Sequence, residues 1–414
     1  MVVAAAGHPG PSASRAPKAV WAVAHAVNDA YPTLYLPLLP ILMTRWHFNI
    51  AQAGLLVGLL ALSTQATQPL LGAWSDRRGG PWFIVGGLMA GSLGSAVGLA
   101  WAPSYAVFAA ALMMGGLGNA AFHPHMAALV AAQGRDQHGQ RMSAWMVSGM
   151  VGHALSPLAV VAAWEWGGRW GLTALALPGL LAAVLLYGSA RSLTRRTAPR
   201  ATDWRDAWRR GRLLLAVIML RNWAAMSLLT LLPVLWRQRG GSLTDTGLLI
   251  MVVYGAGAVG NLLGGRLSDR WGARVVLVVS VMGAAGAALT WALNRGAGPW
   301  LFAEVALWGF AVNGAGAVIL VYGQQLFPGS AAMGAGITMG LGNTVGALGG
   351  WVIGAVAAAA GLVPAVEWAA GLLGLALLPA MFLRPATGDG RIATPPARDG
   401  LSPRPSGGAG GEQL

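Results

Sequence analysis

Two short stretches, GAWSDRRGGP (residues 72–81) and GRLSDRWGAR (residues 265–274), write nearly the same polar turn twice, each time between long apolar runs. Their aspartates, Asp76 and Asp269, are 269 − 76 = 193 positions apart. The same offset carries AGLL (Ala53–Leu56) onto TGLL (Thr246–Leu249) and LLPIL (Leu38–Leu42) onto LLPVL (Leu231–Leu235). With one residue of slippage it also carries GLGN (Gly116–Asn119) onto GFAVN (Gly309–Asn313). Several matches at one spacing indicate an internal duplication, where a single match would be coincidence. A unit with an even number of membrane crossings returns the chain to its starting side, so both copies share one orientation.

The crossings themselves follow from composition. Hydrophobic residues make up 56% of the 414 residues and charged residues only 10%, with a mean hydropathy of +0.59. A soluble chain carries about 25% charged residues, enough to cover a wetted surface. A crossing helix needs about 20 mostly apolar residues. Twelve such stretches are expected, near 18–43, 51–74, 82–101, 105–132, 141–164, 171–190, 212–236, 244–267, 273–294, 299–326, 331–357 and 362–383. The alternating segments of a membrane barrel are missing, so the fold class is an all-α membrane protein of two pseudo-symmetric six-helix bundles. The expected organisation is an N-terminal tail (1–17), a first bundle (18–190), a basic linker (191–211), a second bundle (212–383) and a C-terminal tail (384–414) rich in Pro, Gly and Arg. Both tails are expected to be disordered.

Charge placement sets the orientation. With the N-terminus inside, 21 of the 27 basic residues fall in cytoplasmic segments and five on the opposite side, with Arg221 inside a helix. That split fits the positive-inside rule with both termini cytoplasmic. The net charge of +14 is therefore spread over loops, which argues against a nucleic-acid partner. Cysteine is absent, which removes disulfides and thiolate metal sites.

The repeated turn has a mechanical reading: its glycines (Gly72, Gly265, Gly272) allow close helix approach, while Asp76, Arg77, Asp269, Arg270 and Arg274 form a charged latch. In this turn the chain resembles the major facilitator superfamily, whose loop between the second and third helices carries the pattern. The second copy fits it well; the first has Trp74, Gly80 and Pro81 at variance. HAVNDAYPTLYLPLLP (His25–Pro40), FHPHMA (Phe122–Ala127), QHG (Gln137–Gly139) and LVYGQQLFPG (Leu320–Gly329) are similar to the fosmidomycin-resistance branch of that superfamily, a group of drug-efflux proteins. His125 and Gln325 stand where that branch has acidic residues. The resemblance implies a cavity lined by the first, fourth, seventh and tenth helices.

Polar residues inside apolar spans mark function by default, because lipid penalises them. His25, Asn28, Asp29 and Pro32 share one face of the first helix. Asp29, with His25 one turn away, is the proton-coupling candidate. Asn28 and Asp29 map at the common offset onto Arg221 and Asn222, so Asp29 and Arg221 sit at similar depth. They form either a fixed ion pair or two groups facing a wet cavity. Asn119 and His123 share a face of the fourth helix, where Pro124 adds a kink; a carbonyl-bonded histidine is an equal alternative for His123. Gly149, Gly152, His153 and Ser156 align on the fifth helix before Pro157, a partial match to an antiporter signature. Asn313 and Gln324 share a face of the tenth. The substrate-cavity candidates are thus Asn28, Asn119, His123, His153, Arg221, Asn222, Asn313 and Gln324. Glu304 and Glu367, near helix ends, are expected to reach water, and Trp223 and Trp308 to pack in the core or face lipid.

Phosphate-binding loops, HExxH and serine-elbow patterns do not occur, so a gradient must drive transport. The expected function is proton-coupled efflux of a small drug-like or anionic compound by alternating access. Its partners are protons, the substrate and the lipid bilayer, and it acts as a monomer in the inner membrane, with no cofactor, no metal and no enzymatic activity. The first rival is an uptake symporter for an organic anion or nutrient. A remote rival is a membrane-embedded metal enzyme built on His25, His123 and His153, against which their scattered spacing counts.

Overall fold

In the computed structural model, the structure describes residues 18–68, 70–72, 74, 81–131, 138–190, 204–294, 300–316, 318–319, 322, 338, 340 and 342–383. Among them the regular structure is helical. Helices α1 (Lys18–Ala30), α2 (Leu39–Trp46), α3 (Ile50–Ala61), α4 (Trp82–Ser92), α5 (Tyr105–Ala131), α6 (His138–Ala174) and α7 (Leu177–Ala190) form the first half. Helices α8 (Trp204–Gln238), α9 (Leu243–Trp271), α10 (Ala273–Leu293), α11 (Trp300–Gly314), α12 (Gly342–Ala360) and α13 (Leu362–Met381) form the second. Nine described helical stretches are long and apolar enough to cross a membrane. One of them, Trp145–Tyr187, runs 43 residues. At 1.5 Å per residue that is about 65 Å, twice the hydrocarbon thickness. Gly168, at φ 51°, breaks it into two passes.

Two boundaries differ from the sequence reading. The first span is not one helix. Pro32 lacks the N–H that would bond the Asn28 carbonyl, and the chain tightens into a 3-10 turn at Tyr31–Thr33 before α2. The helix α8 begins at Trp204, inside the segment read as a linker.

The duplication is written into the backbone. Among the described residues, positive φ occurs at His47, Gly168, Gly240, Gly272 and Gly361. His47 and Gly240 are 193 apart, as are Gly168 and Gly361. Helix starts repeat too. Asn49 caps α3 by accepting from the Gln52 N–H, and Ser242, 193 positions on, caps α9 by accepting from the Asp245 N–H.

The halves meet through α3 on α12 and α6 on α9. A Cβ on Gly54 would overlap the Gly350 carbonyl, while one on Gly247 would stand 3.1 Å from the Pro157 oxygen. Positions 54 and 247, and 157 and 350, each differ by 193, so the two junctions are copies related by exchange of halves. Small residues here let helices approach closely, as membrane helices require. One buried apolar cluster draws on both halves, with Leu34, Leu56 and Leu60 joining Leu228, Leu232, Leu249 and Ile353. Toward the opposite end each half has its own core: Trp21, Ile84, Leu88, Phe122 and Leu186 in one, Leu214, Ile218, Val276 and Val318 in the other. Among the described residues, the molecule is joined at one end and divided at the other.

Candidate functional site

The first half holds a cluster centred on Asp29. Its side chain is built from three helices. His25 and Asp29 lie one turn apart on α1, with His25 Nε2 3.1 Å from Asp29 Oδ2. From α5, His123 Nε2 comes within 3.0 Å of Asp29 Oδ1. From α6, His153 Nε2 lies 3.9 Å from Oδ2. Asn28 Nδ2 donates to Asp29 Oδ1 at 3.1 Å and Asn119 Nδ2 at 3.3 Å. Asp29 is 8% exposed and His25 3%. The site exists because α6 presents Gly149: a Cβ there would collide with the Asp29 carboxylate and the His25 ring.

The break after α1 shapes the same site. The Asn28 carbonyl, left without the Pro32 donor, lies 3.4 Å from Asn119 Nδ2. Ser156 Oγ donates to the Ala30 carbonyl at 2.8 Å, and Thr33 Oγ1 donates to Ser156 Oγ at 3.0 Å, tying the turn to α6. A glycine at 156 could not make this tie.

The tautomers follow from chemistry. His25 Nδ1 contacts the Trp145 carbonyl at 2.6 Å, and His123 Nδ1 contacts the Asn119 carbonyl at 2.9 Å. A carbonyl only accepts, so both Nδ1 atoms carry hydrogen. In a neutral imidazole Nε2 is then an acceptor. The two Nε2 atoms are 3.3 Å apart and both face a carboxylate. With both rings neutral, four acceptor atoms converge with nothing between them. A single added proton, on one Nε2 or one carboxylate oxygen, turns one of these repulsive contacts into a hydrogen bond. The ligand atoms of His25, Asp29 and His123 lie within 4.8 Å of one another, close enough for one small cation to bridge them. The scattered sequence spacing of the histidines hid this convergence, so spacing is no argument against a shared cation.

His123 meets a carbonyl with one nitrogen, as the plainer reading expects, and Asp29 with the other. Sequence reasoning missed Trp145, which stacks on His25 at 3.9 Å between centroids and 11° between planes. It also missed Tyr254 on α9, whose ring stacks on His153 at 5.3 Å. Trp145 binds through its carbonyl, which carries no sequence signal. Tyr254 comes from the other half.

Asp29 and Arg221 do not pair. Arg221 Nε donates to the Val312 carbonyl at 2.8 Å, and no carboxylate approaches the guanidinium among the described residues. Asn222 Nδ2 donates to the Asn343 carbonyl at 2.7 Å, and Asn313 Nδ2 to its own helix at Gly309, 3.0 Å away. Similar depth in symmetry-related helices did not bring Asp29 and Arg221 together, because Asp29 is already surrounded within its own half. Glu304 also departs from expectation. It is 8% exposed and accepts from Asn294 rather than reaching water, whereas Glu367 is exposed. Trp308 is buried against Trp291, and Trp223 packs on Gly349.

Of the latch, Gly272 (φ 85°) forms the turn between α9 and α10, its N–H bonding the Ser268 carbonyl. Arg274 donates to the Met381 carbonyl at the end of α13, within one half. Arg270 is exposed, Gly265 half-buried, and Gly72 lies against Pro124. Asp76, Arg77, Gln324 and Gln325 lie outside the described residues, as does the side chain of Asp269.

A helical membrane protein with exchange-related junctions, a divided end and an intramembrane carboxylate has the build of a transporter. The profile of the Major Facilitator Superfamily matches residues 22–350, and the chain belongs to that family. It is 28% identical to the fosmidomycin resistance protein of Escherichia coli K12 over 347 residues, 81% of this chain and 84% of that one. It is 28% identical to the uncharacterized MFS-type transporter YfnC of Bacillus subtilis over 390 residues, 88% and 91% of the two chains. In fold it is similar to a bacterial homologue of the lysosomal transporter Spinster, solved inward-facing and unoccupied, with a TM-score of 0.71, 17% identity and coverage of 88% and 94%. It is also similar to a mutant of the nucleoside transporter NupG, with a TM-score of 0.74, 13% identity and coverage of 88% and 99%. The protein is a multi-pass membrane transporter.

Proposed function

We propose that the protein is a proton-coupled exporter of a small drug-like or anionic compound. The observation that carries this reading is the meeting of His25, His123 and Asp29 as mutual acceptors, a geometry that draws in a proton. Asp29, with His25, holds the proton. Arg221, its guanidinium free of carboxylates among the described residues, meets the anionic part of the substrate. Asn28, Asn119, His123, His153, Asn222 and Asn313 complete the polar lining. The turn at Gly265–Arg274 and its copy at Gly72–Pro81 act as latches at the divided end.

The bundles 18–190 and 212–383 rock about the Gly54–Gly350 and Gly247–Pro157 junctions. Both termini and the 191–211 linker face the cytoplasm, which makes the joined end external and the conformation inward-open. The chain works as a monomeric antiporter in the inner membrane. The E. coli relative makes fosmidomycin the first probe.

The test is flux in proteoliposomes. An imposed proton gradient is expected to drive fosmidomycin transport in the wild type and fail to do so in Asp29→Asn, which keeps substrate exchange without a gradient. Gradient-driven flux in Asp29→Asn would end the assignment. Inverted vesicles set the direction: accumulation on acidifying the lumen means export, and depletion means uptake.

A further inference from the structure

His153, a member of the Asp29 cluster, also touches the other half of the molecule. Its Nε2 lies 3.9 Å from Asp29 Oδ2, an ion-pair distance beyond hydrogen-bond reach. Its ring lies on Tyr254 of α9, 18° from parallel at 5.3 Å. Its Nδ1 is buried and has no hydrogen-bond partner among the described residues. By contrast, the Nδ1 atoms of His25 and His123 are both anchored to carbonyls. His153 is thus held by its faces and not by its nitrogens, so the ring can shift between its two neighbours.

Its helix occupies a matching position. α6 packs on α1 on one side, where a Cβ on Gly152 would overlap the Ala26 carbonyl. On the other side it packs on α9, through Pro157 against Gly247 and through Thr244 Oγ1 donating to Glu165 Oε1 at 3.1 Å. Any displacement of α6 relative to α1 is therefore felt at the junction of the halves. The corresponding position on α12 is Gly346, which faces Asn222 and has no side chain to carry such a signal.

We infer that His153 transmits the occupancy of the proton site to the junction between the halves, through Asp29 on one side and Tyr254 on the other. This rests on the reading of Asp29 as the proton carrier. With the cluster protonated, one of His25 and His123 donates to Asp29, and His153 stays on Tyr254. When the proton leaves, the carboxylate draws the imidazole from 3.9 Å into direct contact and off the tyrosine. A change of charge on His153 also changes its attraction to the tyrosine face. The titratable groups around His153 are Asp29 and His25 on α1, His123 on α5 and Tyr254 on α9.

The native chain has no cysteine, so spin labels at Trp82→Cys and Val275→Cys, exposed positions 193 apart near the divided end, report alone. Electron–electron resonance distances are measured on the full chain in nanodiscs between about pH 5.5 and about pH 8, the range over which histidine titrates. The wild type is expected to change its ratio of open to closed populations by about tenfold across that range. His153→Phe, which keeps the stack but cannot titrate, is expected to flatten the response to under about twofold, as is His153→Gln. Tyr254→Ala, which keeps the histidine but removes the stack, is expected to do the same.

If Asp29→Asn is flat but His153→Phe and His153→Gln keep the wild-type response, the inference fails and the proton site stands. If Asp29→Asn keeps the response, the proton carrier itself is misassigned. A wild type without any response overturns both. Proton-dependent quenching of Trp145, read as the difference in fluorescence from Trp145→Phe because the chain has 19 tryptophans, shows when retained in His153→Phe that the site is still folded and loaded.

Discussion

The two halves share a backbone and divide the chemistry. Positions 25, 29, 123 and 153 are His, Asp, His and His; 193 residues on, positions 218, 222, 316 and 346 are Ile, Asn, Gly and Gly. The supporting glycines are alike: Gly149 faces His25 and Asp29, and Gly342 faces Ile218. Even the helix crossing is kept with its donor reversed. In the first half Asn119 donates toward residue 28, and in the second Arg221, 193 residues beyond Asn28, donates to the carbonyl of Val312, 193 beyond Asn119 and next to its sequence match Asn313. The inverse trade occurs toward the joined end. Gly98, Ala111 and Gly115 pack small against small, whereas their counterparts are Trp291, Glu304 and Trp308. A duplicated scaffold leaves one copy free to gather His25, Asp29 and His123 while the other places Arg221 with no carboxylate beside it among the described residues, and a symmetric frame does not require symmetric chemistry.

The comparison breaks most visibly at its centre. Asp29→Ala is expected to lower gradient-driven transport about a hundredfold, because it leaves the histidines without the charge they surround. Asn222→Ala, at the matching position, is expected to change it by about threefold or less; equal losses would show that the polar work is shared between the halves. Next come the junctions. Gly54→Ala puts a methyl group into the Gly350 backbone and is expected to cost about tenfold in turnover, read by initial flux rates. Gly247→Ala meets Pro157 at a looser 3.1 Å and is expected to lose less than about threefold.

Arg221→Gln sharpens the assignment of the cation. A lost charge-assisted contact is worth about 1.5–3 kcal/mol, so the KM for an anionic probe should rise about tenfold or more while that for a neutral probe holds. The smallest effect is structural. Ser280 Oγ donates to the Ala311 carbonyl, where the first half has Gly87 lying against the Gly118 carbonyl with no donor. Ser280→Ala should destabilise by about 1 kcal/mol in thermal denaturation and leave transport unchanged.

The fold was legible because lipid makes it so: apolar length, loop charge and the repeated offset are all one-dimensional signals. The site was legible only helix by helix. The heptad-like spacing put His25 with Asp29, and the helix faces selected His123 and His153. Nothing in a single helix could say that three faces converge on one carboxylate, since that depends on how closely Gly149 lets α6 approach. Arg221 was paired in depth with Asp29 by symmetry alone, and symmetry is silent about which neighbours satisfy a group first. Glu304 was read from its distance to a helix end, but it is buried where Asn294, just past the end of α10, donates to its carboxylate, which only packing reveals.

The contact of Gly54 with Gly350 has a further consequence for repeated cycling. Bare peptide meets bare peptide there, with no interdigitated side chains to be pulled apart. Parting the halves at that point wets polar amide more than hydrocarbon, and polar amide is welcomed by water. On the proposed rocking motion this one contact adds little to the cost of parting the halves, which falls on the apolar side chains around it.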